Sequence, residues 1–137
     1  MSRKPAGQKI PGKATYERLS HFRYRLRCFL RASEKLCRSH GITPLQYQLL
    51  LHVRGIPGRD WATIGELAER LQAHHHGVVV LIDRCEKLAL VERRPNTDDR
   101  RVVEIHLQAE GEKLLAALAA LHQSELQLLR EEFSAPW

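Results

Sequence analysis

The segment from Thr63 to Leu107 constrains the fold of this chain more than any other. Thr63 is followed three residues later by Glu66, a capping box in which each residue satisfies a free backbone N–H at the start of a helix. Apolar residues then recur at helical spacing, stop over residues 72–74 and resume over residues 78–88. Two helices joined by so short a turn predict a helix-turn-helix, whose second helix can enter a DNA major groove.

A basic hairpin is predicted directly after the second helix, which we place at residues 75–88. Residues 90–94 and 102–107 have the composition of strands, and residues 95–99 between them have the composition of a turn. The arginines that flank this turn are Arg93, Arg94, Arg100 and Arg101. A strand pair with arginines at its tip is typical of a wing that reaches a minor groove. Residues 61–62 are a candidate third strand beside it.

The combined pattern resembles the MarR family of winged helix-turn-helix regulators. The motif GELAERL, the pair Asp83-Arg84, the run LVERRPNTDDRRVVEIHL and the pair Glu110-Gly111 follow the family's order without a gap. The most discriminating part is the wing signature Asp-x-Arg, which falls on Asp99 and Arg101. The resemblance covers roughly residues 16–133. It implies a mainly α-helical fold with a small β-hairpin wing (α+β), in which N- and C-terminal helices form a dimerisation region.

One domain is expected from the length of 137 residues. We divide the chain into a flexible basic tail (1–13) and a single MarR-like domain (14–137). Within that domain the winged helix-turn-helix core spans about 43–107, and the dimerisation helices span about 14–40 and 108–134. The leucine-rich segment 109–133 carries more apolar side chains than the helix-turn-helix and hairpin can bury. The resemblance implies a homodimer, and the alternative is that both outer helices fold back onto their own chain.

The net charge of +6 is distributed unevenly along the chain. Residues 1–40 carry eleven Lys and Arg against two acidic residues, whereas residues 104–137 carry two against six. A basic N-terminal arm favours double-stranded DNA as a partner, although a solvated charged face is the simpler explanation of charge alone. The chain has no long apolar run and no apolar signal segment, so we expect a cytoplasmic protein that binds no membrane.

Candidate DNA-binding residues lie on both the second helix and the wing. Asp99 can hold the Arg101 side chain by a charge-assisted hydrogen bond, although an ordinary surface ion pair is the alternative. The valines of the helix can make only apolar contacts, for example with thymine methyl groups, so direct base reading is expected to be sparse. The predicted set is His74, His75, His76, Val79, Val80, Arg84, Arg93, Arg94, Asp99, Arg100 and Arg101.

The sequence indicates neither an enzyme nor a cofactor site. A glycine-rich phosphate loop, a nucleophile elbow and a paired-carboxylate constellation are all missing from the sequence. His74, His75 and His76 do not indicate a metal site, because adjacent helical residues point about 100° apart and ligand pairs need a spacing of three or four residues. The spacing of Cys37 and His40 suits a metal, but it straddles a helix end and has no second pair.

Two regulatory features, an effector pocket and a reactive cysteine, each have an alternative explanation in core packing. The resemblance implies a small aromatic or phenolic effector, whose candidate pocket residues are His21, Tyr24, Tyr47 and His52. Plain core packing is the alternative. Cys28 lies among arginines that can lower the pKa of a thiol, and some MarR relatives sense organic peroxides through a cysteine on this helix. Ordinary packing is the favoured interpretation of Cys28, and Cys85 is expected in the core.

The expected function is sequence-specific binding of double-stranded DNA by a homodimeric transcriptional regulator. We expect a repressor that occupies a near-palindromic operator, with release by a small molecule left open. One alternative is a winged-helix protein-interaction module without specific DNA binding. Another is a redox-sensing regulator that acts through Cys28.

Overall fold

The computed structural model describes Gly7 and residues 9–128, 130 and 131. The helices are α1 (Lys13–Ser39), α2 (Pro44–Arg54), α3 (Ile64–Leu71), α4 (His75–Lys87), α5 (Ala109–Leu121) and α6 (Ser124–Leu128). The strands are β1 (Trp61–Thr63), β2 (Val91–Pro95) and β3 (Val103–Leu107). In the part of the chain that the structure describes, no helix has both the length and the apolar character needed to cross a membrane.

The structure describes only part of residues 1–13, which the sequence predicts as a basic tail. Residues 1–6 and residue 8 lie outside the described residues, and Lys13 already belongs to α1. α1 then runs for 27 residues to Ser39, in agreement with the predicted first helix. Gly41 follows it with a φ of +79°, a left-handed conformation that glycine adopts without strain.

A capping box begins α2, where Thr43 is followed three residues later by Gln46. The Thr43 hydroxyl accepts from the backbone N–H of Gln46 at 3.1 Å, and the Gln46 side chain accepts from the backbone N–H of Thr43 at 2.9 Å. Pro44 occupies the first turn, where its missing N–H costs no hydrogen bond. Leu49, Leu50 and Val53 then face the core and are fully buried.

The three strands form an antiparallel sheet in the order β1-β3-β2. The predicted third strand beside the wing is confirmed, since Trp61 pairs with His106 and Ala62 pairs with Ile105. The prediction that the last strand begins at Val102 was wrong by one residue. The N–H of Val102 donates to the carbonyl of Asp99 at 3.0 Å and so closes the turn.

The hydrophobic core lies between α2, the helix pair α3–α4, the inner face of the sheet and α5. Its fully buried members include Leu67 on α3, Ile82 and Cys85 on α4, Ile105 on β3 and Leu118 on α5. Cys85 is therefore a core residue, as expected, and burial raises the pKa of its thiol to about 11. A thiol held neutral in this way is a poor nucleophile.

The C-terminal segment departs from the predicted continuous helix over 108–134. α5 ends at Leu121, and His122 and Gln123 form a turn before α6. The imidazole of His122 is buried: its Nδ1 lies 2.7 Å from the carbonyl oxygen of Leu118, its Nε2 lies 2.9 Å from the Ser33 hydroxyl, and its ring stacks on Tyr47. Leu129 and Phe133, in the leucine-rich segment 109–133, lie outside the residues whose side chains are described.

α5 approaches the corner between α4 and β2 very closely at Gly111. A Cβ atom built on Gly111 would lie 2.0 Å from the carbonyl oxygen of Leu90 and 2.9 Å from its carbonyl carbon. The same oxygen accepts from the backbone N–H of Gln108 at 2.9 Å. Glycine is therefore required at this position by the distance between two backbones, whatever its conformational freedom.

Gly111→Ala should destabilise the fold by about 3 kcal/mol, because the methyl group overlaps a carbonyl that cannot withdraw without breaking the bond to Gln108. Gly77→Ala is the matched control: Gly77 is helical, nothing lies within 4 Å of its Cβ position, and alanine there should stabilise by about 0.5–1 kcal/mol. Chemical denaturation of both variants measures whether each substitution raises or lowers the free energy of unfolding. Equal stability of the two variants would contradict the close approach.

Candidate nucleic-acid interface

The helix-turn-helix is assembled from α3, a short left-handed turn and α4. The predicted capping box begins α3: the Thr63 hydroxyl accepts from the Glu66 N–H at 3.2 Å, and the Glu66 carboxylate accepts from the Thr63 N–H at 2.9 Å. Gln72 ends the helix with a φ of +51°, and the chain enters α4 after His74. The predicted break at residues 72–74 is confirmed.

The solvent-facing side of α4 carries most of the predicted groove residues. His74, His75 and His76 are exposed at its start, and Arg84 and Lys87 are exposed near its end. Val79 and Val80 between them are half-buried, with Val80 lining an apolar groove beside Leu45. Asp83 lies on the same exposed side, so this surface is not uniformly positive.

The wing turn is organised by the side chain of Asn96. Its Oδ1 atom accepts from the backbone N–H groups of Asp98 at 3.0 Å and Asp99 at 2.8 Å. The Asn96 N–H donates to the carbonyl of Val102 at 3.1 Å, which closes the loop. The tip of the hairpin therefore has a defined conformation before it meets any partner.

Asp99 directs Arg101 away from the protein. Its Oδ1 accepts from the backbone N–H of Arg101 at 3.0 Å and from Nε at 3.1 Å, and its Oδ2 accepts from a terminal guanidinium nitrogen at 3.2 Å. The Arg101 side chain is 91% exposed. The bonds from the Arg101 side chain and backbone lower the pKa of Asp99, so the carboxylate stays charged. The result is an exposed cation held at the wing turn.

Arg93 has a different position from the other wing arginines. It lies opposite Ile105, on the inner face of the sheet, and points at α4 instead of at the tip. Its guanidinium donates to Asp83 at 2.7 Å and also to Glu86. These partners were not identified from the sequence, although Asp83 and Arg93 are only ten residues apart and lie on consecutive elements, α4 and β2. Arg93 thus connects the base of the wing to the exposed side of α4.

The remaining predicted arginines are exposed. Arg94 lies on the outer face of the sheet and donates to Glu92 at 2.7 Å through Nε. Arg100 is exposed in the turn, next to Arg101. Arg84 is exposed on α4 and borders the apolar groove.

The four predicted pocket residues do not come together within one chain. His21 and Tyr24 line an open groove along α1. Tyr47 is buried and stacks on His122 at 4.5 Å between ring centroids, and burial raises its pKa to about 12. His122 contacts Ser33, which lies about 13 Å along α1 from Tyr24. His52 is half-buried on α2, and burial followed by the Arg70 charge lowers its pKa.

The three cysteines are all free. Cys28 is exposed on α1, while Cys37 is buried and burial raises the pKa of its thiol. Cys28 and Cys37 are separated by about 13 Å along one helix, which is beyond the reach of a disulfide bond. Among the described residues, no three His, Cys, Asp or Glu side chains group closely enough to hold a metal ion.

The sequence of this chain is similar to those of known transcriptional regulators. The sequence pattern of the MarR family matches residues 40–102. Two regulators of Bacillus subtilis are similar: the transcriptional repressor MdtR at 33% identity, covering 67% of this chain and 60% of the relative, and the uncharacterised regulator YsmB at 40% identity, covering 73% and 66%. The chain thus spans less than two thirds of the length of either relative.

The fold is that of a solved structure of the same family. A mutant of MarR from E. coli, crystallised with operator DNA, superposes with a TM-score of 0.66 at 24% identity, covering 85% of this chain and 78% of that one. At this identity the likeness shows the shared architecture of helices and wing.

Glu66→Gln should lower the free energy of unfolding at neutral pH. Burial alone would raise the pKa of Glu66, but the bonds from Thr63 and Arg59 outweigh it and hold the pKa below its ordinary 4.5. A depressed pKa contributes stability that is complete above about pH 4.5 and is lost as pH falls through the lower folded-state value.

The measurement is chemical denaturation of wild type and Glu66→Gln between pH 7 and pH 3. The stability difference should shrink below about pH 4.5. Glu69→Gln, on the same helix but bonded only to Gln72, is the control that should show no such convergence. A difference for Glu66→Gln that stays constant over the whole range would rule out the charged capping role.

Proposed function

Because this chain belongs to the MarR family of transcriptional regulators, we propose that it regulates transcription by binding a specific duplex DNA sequence. The observation that carries the proposal is the Arg101 guanidinium, 91% exposed and held by Asp99 at the end of the wing. Arginine is the residue best suited to the narrow, electronegative minor groove of A·T-rich DNA.

In the proposed complex, α4 lies in the major groove and the wing lies over the adjacent minor groove. His75, His76 and Arg84 supply hydrogen-bond donors to bases or phosphates, and Val79 and Val80 supply apolar contacts. Arg94 and Arg100 are placed to contact phosphates beside the groove that Arg101 enters. His74 stands at the start of α4, where the free N–H groups of the helix favour a phosphate.

We further propose a homodimer formed through α1, α5 and α6. Leu121 and Leu126 are 48% and 69% exposed on the C-terminal helices, and Tyr16, Leu19 and Leu30 are exposed along α1. Such large apolar side chains gain stability when a second subunit covers them. Two copies related by a two-fold axis would present two α4 helices to a near-palindromic site.

Repression by occupation of promoter DNA is the regulatory mode we propose, since the relative MdtR is a repressor. The α1 groove lined by His21 and Tyr24 is open in one chain. We propose that a second subunit closes this groove in the dimer and that a small aromatic or phenolic effector binds there. The buried position of Tyr47 fits core packing better than a place in that groove.

Selection of bound fragments from a random duplex pool tests the function directly. Enrichment of a sequence with two-fold symmetry supports a dimeric regulator. Failure to enrich any sequence, together with no measurable duplex binding, would favour a protein-interaction module. Binding that is lost on peroxide treatment in the wild type but kept in Cys28→Ser would instead identify a redox-sensing regulator.

Arg101→Ala should weaken binding to the selected duplex by about 1–3 kcal/mol, with the largest loss where the flank under the wing is A·T-rich. Fluorescence anisotropy at fixed salt measures it. Arg38→Ala is the matched control, because Arg38 lies on α1 and pairs with Glu34 at 3.0 Å, far from the wing. Equal affinities of Arg101→Ala and wild type on A·T-rich flanks would remove Arg101 from the interface.

Leu126→Glu should raise the dissociation constant of the dimer at least about tenfold, because it places a charge in a contact that we propose is apolar. The substitution leaves the described core intact, since Leu126 lies outside it. Sedimentation velocity over a dilution series measures the change. Leu88→Glu is the control: Leu88 is 50% exposed at the end of α4, against 69% for Leu126, and its substitution should leave the dimer unaltered. An unchanged dimer in Leu126→Glu would place the subunit contact elsewhere.

A further inference from the structure

A continuous set of side-chain contacts crosses the outer face of the sheet. Directly paired residues on antiparallel strands share a face, so Trp61 lies beside His106, and Thr63 lies beside Glu104. Ala62 and Ile105, one position away, occupy the opposite face and are fully buried in the core. The outer-face residues Glu104, His106 and Trp61 have no place in the DNA contacts proposed above.

Glu104 lies at the centre of these contacts. Its Oε2 atom accepts from the Asn96 side-chain amide at 2.7 Å, and its Oε1 atom lies 2.8 Å from Nε2 of His106. The side chains of Glu104 and His106 are only 15% and 18% exposed. The hydrogen bond from His106 lowers the pKa of Glu104. Partial burial opposes this shift and the bond from Asn96 adds to it, so Glu104 is a charged acceptor at neutral pH.

Asn96 joins this carboxylate to the wing turn. Its amide oxygen is occupied by the backbone N–H groups of Asp98 and Asp99, so its amino group must face Glu104. An amide flip would lose all three bonds at once. The turn that carries Asp99 and Arg101 is therefore tied through one side chain to a residue on the central strand.

The other end of the set is anchored at the start of the helix-turn-helix. The His106 ring stacks on Trp61 with centroids 6.2 Å apart, and the Arg59 guanidinium lies 4.0 Å above the Trp61 ring. Arg59 also donates to Glu66, which caps α3. The contacts thus extend from the wing tip to the first helix of the helix-turn-helix.

We propose that Glu104 is a positioning residue for DNA binding, which sets the place of Arg101 by holding Asn96. The proposal rests on the proposed function. β1 pairs only with residues 104–106, so the hairpin beyond Val103 has no third strand to support it. The bond between Glu104 and Asn96 supplies support at that point.

The sign of a charge neutralisation separates this role from simple electrostatics. Removing a negative charge near DNA should strengthen binding if Glu104 does nothing else, because repulsion of phosphates is reduced. Glu104→Gln should instead weaken binding about tenfold, because glutamine has only one acceptor oxygen for two donors and the wing turn loses its tie. Glu92→Gln is the matched control, since Glu92 has the same charge on the same face and, among the described residues, is hydrogen-bonded to Arg94 and not to Asn96.

A charge-conserving exchange of the two partners gives the sharpest test. Asn96→Asp keeps an oxygen for the two turn amides but turns its second oxygen toward the Glu104 carboxylate, and binding should again weaken about tenfold. In the double variant Asn96→Asp with Glu104→Gln, the glutamine amino group can donate to Asp at 96 while its oxygen accepts from His106. The net charge equals that of wild type, and affinity should return to within about threefold of it.

Two measurements are made on each protein: duplex affinity on the selected site, and NMR order parameters of the backbone over residues 96–101 without DNA. Lower affinity and lower order in both single variants, with recovery of both in the double variant, are the expected results. Additive losses in the double variant, or tighter binding by Glu104→Gln, would overturn the positioning role.

The free-protein measurement keeps the two proposals distinguishable. If wild type binds no duplex, the proposed function fails, while the order parameters still decide whether Glu104 holds the wing turn. If wild type binds and the single variants keep both affinity and wing order, the function stands and the inference about Glu104 is wrong. Thermal unfolding of every variant excludes loss of fold as the cause.

Discussion

The ion pairs between Arg93 and α4 fix the wing relative to the helix that we propose enters the major groove. Arg93 lies on the inner face of the sheet, where a cation without partners would be costly to bury. Asp83 and Glu86 provide those partners from one side of α4. If Arg93 were removed, two carboxylates would remain beside the proposed DNA surface, so the pair both orients the wing and masks negative charge.

The parts of the fold that sequence reasoning predicted depend on residues close together in the chain. The capping box at Thr63 needs only a partner three residues on, and the structure contains it. The Asp99–Arg101 contact spans two residues and also follows from the local pattern. The short β1 strand was predicted from Trp61 and Ala62, because an edge strand of three residues needs little more than β-compatible residues before a helix cap.

The parts that were missed depend on contacts between distant residues. The break after α5 falls at His122, which contacts Ser33, 89 residues earlier, and the ring of Tyr47. Periodicity alone favours continuing a leucine-rich helix through such a position. The inward direction of Arg93 was also not predicted. The position of Arg93 along its strand does not show which face of the sheet packs against α4.

Because α4 has few hydrogen-bond donors, the proposed sequence specificity depends less on base contacts than on the geometry of the DNA. Valine can distinguish bases only through the thymine methyl group, and of the α4 side chains assigned to the groove only His75, His76 and Arg84 have hydrogen-bond donors. Discrimination must then come chiefly from minor-groove width beneath Arg101 and from the spacing of two half-sites. Both quantities depend on rigid placement: the first on the wing turn and its ties to β3 and α4, the second on the subunit contact. A substitution that alters the angle of the wing would on this argument change sequence preference without touching any base.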